Sequence, residues 1–201
     1  MTTFPKKIVL ASGNQGKLNE FTSLFEQFGV EMVAQKTLGV EDVPETGTTF
    51  VENAIIKARH AAKVTGLPAI ADDSGLVVDA LGGAPGIYSA RYAGEHGDSE
   101  GNITKLLSEM EGVSNRAAHF FCTLVFMQHS DDPVPLISQG KWKGNIQTER
   151  QGSDGFGYDP VFYVPTHECT AAEMAKAEKN KVSHRGKALV TLLDSMRQTF
   201  A

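Results

Sequence analysis

The chain has 201 residues, 41% hydrophobic and 21% charged, with 19 Lys+Arg against 24 Asp+Glu and a net charge of −5. This length predicts one domain over 1–201, or one domain with a small lobe, able to bury a core without disulfide or metal staples. The mix excludes a mainly disordered or fibrous chain, and the acidic balance argues against a surface built to grip nucleic acid or anionic membrane.

The segment Met1 to Lys7 runs into a strand too short for a signal-peptide core, and no apolar run approaches the ~20 residues of a membrane span. The cytoplasm is therefore the expected location. Ile8 to Ala11 reads as a buried strand. It enters the turn Ser12-Gly13-Asn14-Gln15-Gly16. A helix follows with Leu18, Phe21, Leu24, Phe25 and Phe28 on one face and Gly29 as its stop. Val30 to Ala34 reads as a second strand. Thr49 and Glu52 form a capping box for a helix in which Val51, Ile55, Ala58 and Ala62 share a face.

Ala69 to Ala71 reads as a short strand ending in Asp72-Asp73-Ser74-Gly75, with Leu76 to Val78 able to continue it. Gly82 to Gly86 is a loop. Ile103, Leu106, Leu107 and Met110 mark a third helix, and Phe120 to Met127 is the most strand-like run in the chain. Leu136 to Ser138 and the segment around Trp142 are its expected antiparallel neighbours. After the glycine-rich loop Gly152 to Tyr158 comes a strand at Val161 to Val164. Thr170 with Glu173 reads as a second capping box, Ser183 as an N-cap, and Leu189 to Met196 as the last helix. Cys122 and Cys169 form no CxxC pair, which argues against a thiolate zinc site and leaves two buried free thiols as the expectation. The β-α-β-α-β start and the strands of the middle predict an α/β protein with a mixed sheet.

Four segments could carry chemistry. In Ser12-Gly13-Asn14-Gln15-Gly16-Lys17 a strand runs into a helix N-terminus, where unpaired N–H groups suit phosphate. Lys17 opposes the helix dipole there, and an anionic ligand would explain it. The GxxGK spacing is neither a P-loop nor GxGxxG, and a plain turn with a solvated lysine is the equal alternative. Asp72 and Asp73 are adjacent acids that could help hold magnesium or deprotonate a water; a solvated turn at Ser74-Gly75 explains them as well. Glu45 could be a third acid for the metal, and Lys57 could reach a phosphate. Phe156, between glycines in Ser153 to Pro160, could stack on a nucleobase, with Asp159 held extended before Pro160. Glu178 to Lys187 concentrates cations in an acidic chain and could hold an anionic ligand, or be a solvated loop.

SGNQGK after a buried strand, ETGTTFVENAIIKA, ADDSGLVVDALGGAPGIYSARYAG, GSDGFGYDPVF and AEKNKVSHRGKAL occur in that order. The ordered set closely resembles the inosine triphosphate pyrophosphatase family, the bacterial dITP/XTP pyrophosphatases, from Ile8 to the final helix. The resemblance implies an elongated α/β fold with flanking helices, two lobes and a central substrate cleft, usually as a homodimer. It implies Mg2+-dependent hydrolysis of dITP, ITP and XTP to monophosphate and pyrophosphate. It assigns the triphosphate to Ser12, Gly13, Asn14, Gln15, Gly16 and Lys17, assisted by Lys57. Asp73 would be general base and metal ligand, Glu45 a second ligand, Asp72 a support, and Ser74 a substrate contact. Phe156, Gly157, Tyr158 and Asp159 would form the nucleoside wall, and Lys179, His184 and Arg185 would contact base and phosphates. The partners implied are a small nucleotide and a second copy of the chain, with no nucleic acid and no membrane. The rival readings are a pyrophosphatase for modified pyrimidine triphosphates and a non-catalytic nucleotide sensor.

Overall fold

A computed structural model describes residues 4–200; the first three residues of the N-terminal segment discussed above lie outside it. One mixed sheet of seven strands runs in the order β2-β1-β3-β4-β5-β6-β7, so the expected α/β architecture with flanking helices is met. The strands are β1 (Lys7–Leu10), β2 (Glu31–Ala34), β3 (Ala69–Val78), β4 (Ala117–Met127), β5 (Leu136–Ile146), β6 (Phe162–Val164) and β7 (Cys169–Thr170). The helices are α1 (Gln15–Phe25), α2 (Phe50–Thr65), α3 (Ser99–Glu109), α4 (Lys176–Val182) and α5 (His184–Phe200). β1 pairs parallel with β2 and β3, whereas β5–β6 and β6–β7 are antiparallel. The chain divides into two compact units: Met1–Asp73 with Thr123–Gln139 and Ala188–Ala201, and Ser74–Cys122 with Gly140–Lys187.

In the first unit, β1 lies between β2 and β3. Two right-handed crossovers, through α1 and then α2, therefore travel in opposite directions and leave these helices on opposite faces. Asn14 caps α1 by accepting the Lys17 N–H at 3.0 Å. Phe21 and Phe25 are the helix's buried residues; α1 ends at Phe25, a 3-10 turn, Glu26–Phe28, carries the chain on, and Gly29, at φ 67°, supplies its left-handed stop. The Thr49–Glu52 capping box of α2 is complete, with both reciprocal bonds present.

The buried face of α2 differs from the expected one. It is formed by Asn53, Ala54, Ala58, Ala61 and Ala62, while Val51 and Ile55 are only half-buried. The alanines pack with Val9, Ala69, Ala71, Val125 and Met127. Methyl-sized side chains let the helix settle close to the strands, so the small residues form the buried face and Ile55 packs at its margin.

The second unit has its own core. Leu76, Ile103, Leu106, Met110, Phe120, Trp142 and Phe162 belong to one buried cluster. Phe120 and Trp142 pack on Phe162 at ring centroid distances of 4.6 and 5.2 Å. The Arg116 guanidinium donates to the carbonyls of Ile146, Met110 and Gln147, which satisfies three backbone acceptors beside β5.

Further sequence expectations are corrected. Asp159, expected to be extended before Pro160, instead opens a 3-10 turn, Asp159–Val161. β3 is one continuous strand from Ala69 to Val78, so Asp72 and Asp73 lie inside it and no turn forms at Ser74-Gly75. β5 is likewise a single strand that absorbs both predicted pieces, alternating buried and exposed residues along most of its length. Glu173 does bond the Thr170 N–H and hydroxyl, at 2.8 and 2.9 Å, but Thr170 ends β7 and the pair closes a turn. α4 begins only at Lys176, without a side-chain cap. Cys122 is a buried free thiol as expected, whereas free Cys169 is only half-buried. Among the described residues no helix is long and apolar enough to cross a membrane.

Candidate active site

The first unit gathers its polar residues where the parallel strands end. Val9 and Leu10 pair with Ala69 and Ile70, after which β1 stops and β3 continues. The Ala11 N–H still reaches the Ile70 carbonyl at 2.8 Å, so the Ser12–Lys17 turn begins beside the stretch of β3 that carries the two acids. This is the carboxyl end of the sheet at the point where strand order reverses, the usual ligand position in open α/β sheets.

Neighbouring strand residues point to opposite faces, and the two acids obey that rule with partners from the two opposed helices. Lys17 Nζ, in the first turn of α1, lies 2.9 and 2.7 Å from the two carboxylate oxygens of Asp72. Asp72 is 2% exposed, so this is a buried ion pair, and it supplies the reason for a lysine at a helix N-terminus. Asp73 turns instead to α2, accepting from Lys57 Nζ at 3.1 Å and from the Asn53 amide at 3.4 Å. Lys57 Nζ also holds Glu45 at 2.7 Å. One ammonium thus joins the two acids assigned to a metal.

Burial raises the Asp73 carboxyl above its usual range, and the Lys57 charge only partly opposes this. Burial pulls Lys57 down, yet Asp73, Asp72 and Glu45 outweigh it and hold the ammonium protonated above its ordinary value. Among the described residues no group of three or more His, Cys, Asp and Glu forms a metal cage. Two carboxylates close enough to share one cation fit instead a hard ion that takes few protein oxygens and completes its shell with water and phosphate.

Ser12 accepts the Asn14 N–H at 3.2 Å, which shapes the turn, and Gln15 and Gly16 open α1. Sequence reasoning missed two residues here. Lys36, in a 3-10 turn after β2, lays its chain across Gly13: a Cβ at Gly13 would fall 2.8 Å from Lys36 Cε and 3.0 Å from its Nζ. No local pattern ties Lys36 to that turn; only the return of the chain along β2 brings it there. Asn53 is fully buried. Its signal was present as a polar residue four positions before Lys57 on an alanine-rich helix face.

The second unit carries the remaining candidates. Phe156 is 66% exposed on the glycine-rich loop, with Lys179 Nζ 5.2 Å from its ring centre. Asp159, buried below, accepts the Phe156 N–H at 2.7 Å and the Lys179 ammonium at 2.5 Å. Gly155 and Gly157 take positive φ, 89° and 59°, which lets the loop turn tightly enough for that capture. Tyr158 differs from the expected wall residue: it is buried in the core, its hydroxyl donating to the Ser89 carbonyl at 2.9 Å. His184, the first residue of α5, is buried and stacks on Phe120 at 4.9 Å. Arg185 and Ser74 are half-buried, Ser74 within β3. Ser183 accepts the Gly186 N–H at 3.2 Å, the N-cap its position predicts.

Lysines and paired carboxylates at the carboxyl ends of parallel strands make the kind of α/β site that suits a phosphate. The chain belongs to the Ham1 family, whose model matches residues 8–195. It is 60% identical over 189 residues to the dITP/XTP pyrophosphatase of Vibrio parahaemolyticus, covering 93% of this chain and 94% of that one. It is 58% identical over 194 residues to the dITP/XTP pyrophosphatase of Shigella flexneri, covering 96% and 98%. The structure of a HAM1 protein from Coxiella burnetii superposes with a TM-score of 0.93 at 50% identity, covering 96% of this chain and 98% of that one. The kinship expected from the ordered motifs is met.

Proposed function

We propose that this chain hydrolyses non-standard purine nucleoside triphosphates, dITP, ITP and XTP, to the monophosphate and pyrophosphate with Mg2+. One observation carries the reading: Glu45 and Asp73 share Lys57, on the strand that also pairs Asp72 with Lys17, in a chain 60% identical to a dITP/XTP pyrophosphatase. Phosphoanhydride hydrolysis asks a protein mainly for positioning and charge neutralisation, which this arrangement offers.

Glu45 and Asp73 would hold the metal, whose chemistry is to neutralise phosphate charge. Ser12 to Lys17 and Lys57 bind and orient the triphosphate. Asp73 takes the proton of the attacking water as its oxygen bonds to the α-phosphorus; the α–β anhydride breaks and pyrophosphate leaves. Asp72 keeps Lys17 in place, and Ser74 contacts the substrate.

Phe156 stacks on the base, on a loop held by Gly157, Tyr158 and Asp159. Lys179, His184 and Arg185 supply donors. Hypoxanthine and xanthine carry an oxygen at C6 where adenine carries an amino group. A donor aimed there favours the oxygen and faces adenine with a second donor, a mismatch that hydrogen-bonding sites reject strongly. The reading brings with it a cytoplasmic location, where the nucleotide pool lies, and a homodimer, supported by the family resemblance and tested by light scattering after gel filtration.

A triphosphate panel with pyrophosphate detection, with and without Mg2+, tests the function. Release from dITP and XTP far above ATP and GTP is expected; no release from dITP with Mg2+ overturns the reading.

A further inference from the structure

Resting on that reading, we propose that Asn53 is a positioning residue: it sets Asp73 and the Glu45 loop in register with each other. Its side chain makes two bonds of opposite sense. Its Oδ1 accepts the Gly47 N–H at 2.8 Å and its Nδ2 donates to Asp73 Oδ2 at 3.4 Å. Gly47 N can only donate and a carboxylate only accept, so only one orientation of the amide serves both. An amide is the one short neutral side chain that offers a strong donor and a strong acceptor on separate atoms.

The surroundings are built for this bridge. Asn53 is fully buried, on the same face of α2 as Lys57 and one turn before it. Successive turns of α2 therefore grip the two oxygens of Asp73 separately, Asn53 on Oδ2 and Lys57 on Oδ1. At Gly47 the approach is so close that a Cβ would fall 2.7 Å from Asn53 Oδ1 and 2.6 Å from Glu52 Cβ. Thr48 and Thr49 are pinned alongside by Glu52 Oε2, at 2.8 and 2.9 Å from their N–H groups. Glu45 thus emerges from a segment fastened to the first turn of α2. The 3.4 Å bond is long, as catalytic hydrogen bonds often are before substrate binds. Outer partners of this kind matter because a base must point the same way at each turnover.

The test compares wild type, Asn53→Leu and Asn53→Asp by steady-state kinetics with dITP, with melting curves and a Mg2+ titration of the rate. Asn53→Asp keeps the volume and can still accept from Gly47 but cannot donate to Asp73; Asn53→Leu loses both bonds. Both should lower kcat by about 10–100-fold, with KM for dITP changed by less than about threefold. Asn53→Leu should in addition need more Mg2+ for half-maximal rate, because the Glu45 loop is untied. If both variants keep kcat within about threefold of wild type, or if losses in Asn53→Asp appear only in proportion to a lost melting transition, the proposal is overturned. An inactive wild type would instead condemn the proposed hydrolysis.

Discussion

Lys17 and Asp72 are fifty-five positions apart in the chain, and the ammonium meets both carboxylate oxygens, at 2.9 and 2.7 Å. A lysine in a phosphate turn is usually considered for its ligand alone; this one also neutralises a buried acid. Lys17→Met should therefore lower stability in the absence of nucleotide, by about 3 kcal/mol, the lower end of the range for orphaning one partner of a buried pair. Lys17→Met/Asp72→Asn should be more stable than Lys17→Met alone. Urea denaturation of the two variants checks this; equal stabilities would show that the pair holds nothing.

Asp73→Asn should lose most turnover while nucleotide binding survives. The amide keeps the shape of the carboxylate but cannot take a proton from water. Calorimetric titration with a non-hydrolysable triphosphate measures the binding, and pyrophosphate release the turnover. Equal loss of both would reduce Asp73 to an anchor.

Phe156→Ala should leave the melting temperature unchanged, since the ring is 66% exposed. Its loss should raise KM for dITP by about tenfold, within the ~1–3 kcal/mol that base stacking on an aromatic contributes. An unchanged KM would remove Phe156 from the nucleoside site.

Much of this arrangement was legible in the sequence because it is local. The turn after β1, the Thr49–Glu52 cap and the Gly29 stop each depend on residues within a few positions, and they form as spacing predicts. The continuity of β3 through Asp72 to Gly75 was not legible. Asp, Ser and Gly are turn residues by local preference, and here pairing in the sheet overrides it. The Thr170–Glu173 pair shows the converse: its bonds form as the pattern predicts, but no helix follows them. Lys36 meets Gly13 only through tertiary folding, which no local window contains.

Gly186→Ala sets two effects against each other. Within α5, alanine should gain about 1 kcal/mol of helix propensity. The added Cβ would run into the Asn180 backbone carbonyl, which cannot swing aside as a side-chain tip can. Overpacking of this kind costs about 1–3 kcal/mol, so the clash should win and the thermal midpoint should fall. A raised midpoint would mean that the α4–α5 junction opens freely.

Glu52 gives a signed pH dependence. The Thr49 hydroxyl, then the Thr48 N–H and hydroxyl, lower its proton affinity in the folded state. Its contribution is therefore complete above the ordinary carboxylate range and is lost as pH falls through the lower folded value. Glu52→Gln should be less stable than wild type at neutral pH, and the gap should close under strongly acidic conditions. Denaturation at both ends checks it; a gap that widens in acid reverses the sign and refutes the cap's role.

The alanine face of α2 ties the width of the helix's side chains to the aim of the groups it carries. Ala54, Ala58 and Ala61 are fully buried, and Lys57 and Asn53 project from among them. A valine at any of these three positions would satisfy hydrophobicity and still lever the helix outward, carrying both grips away from Asp73. Chemistry, rather than greasiness, keeps those side chains at a single methyl.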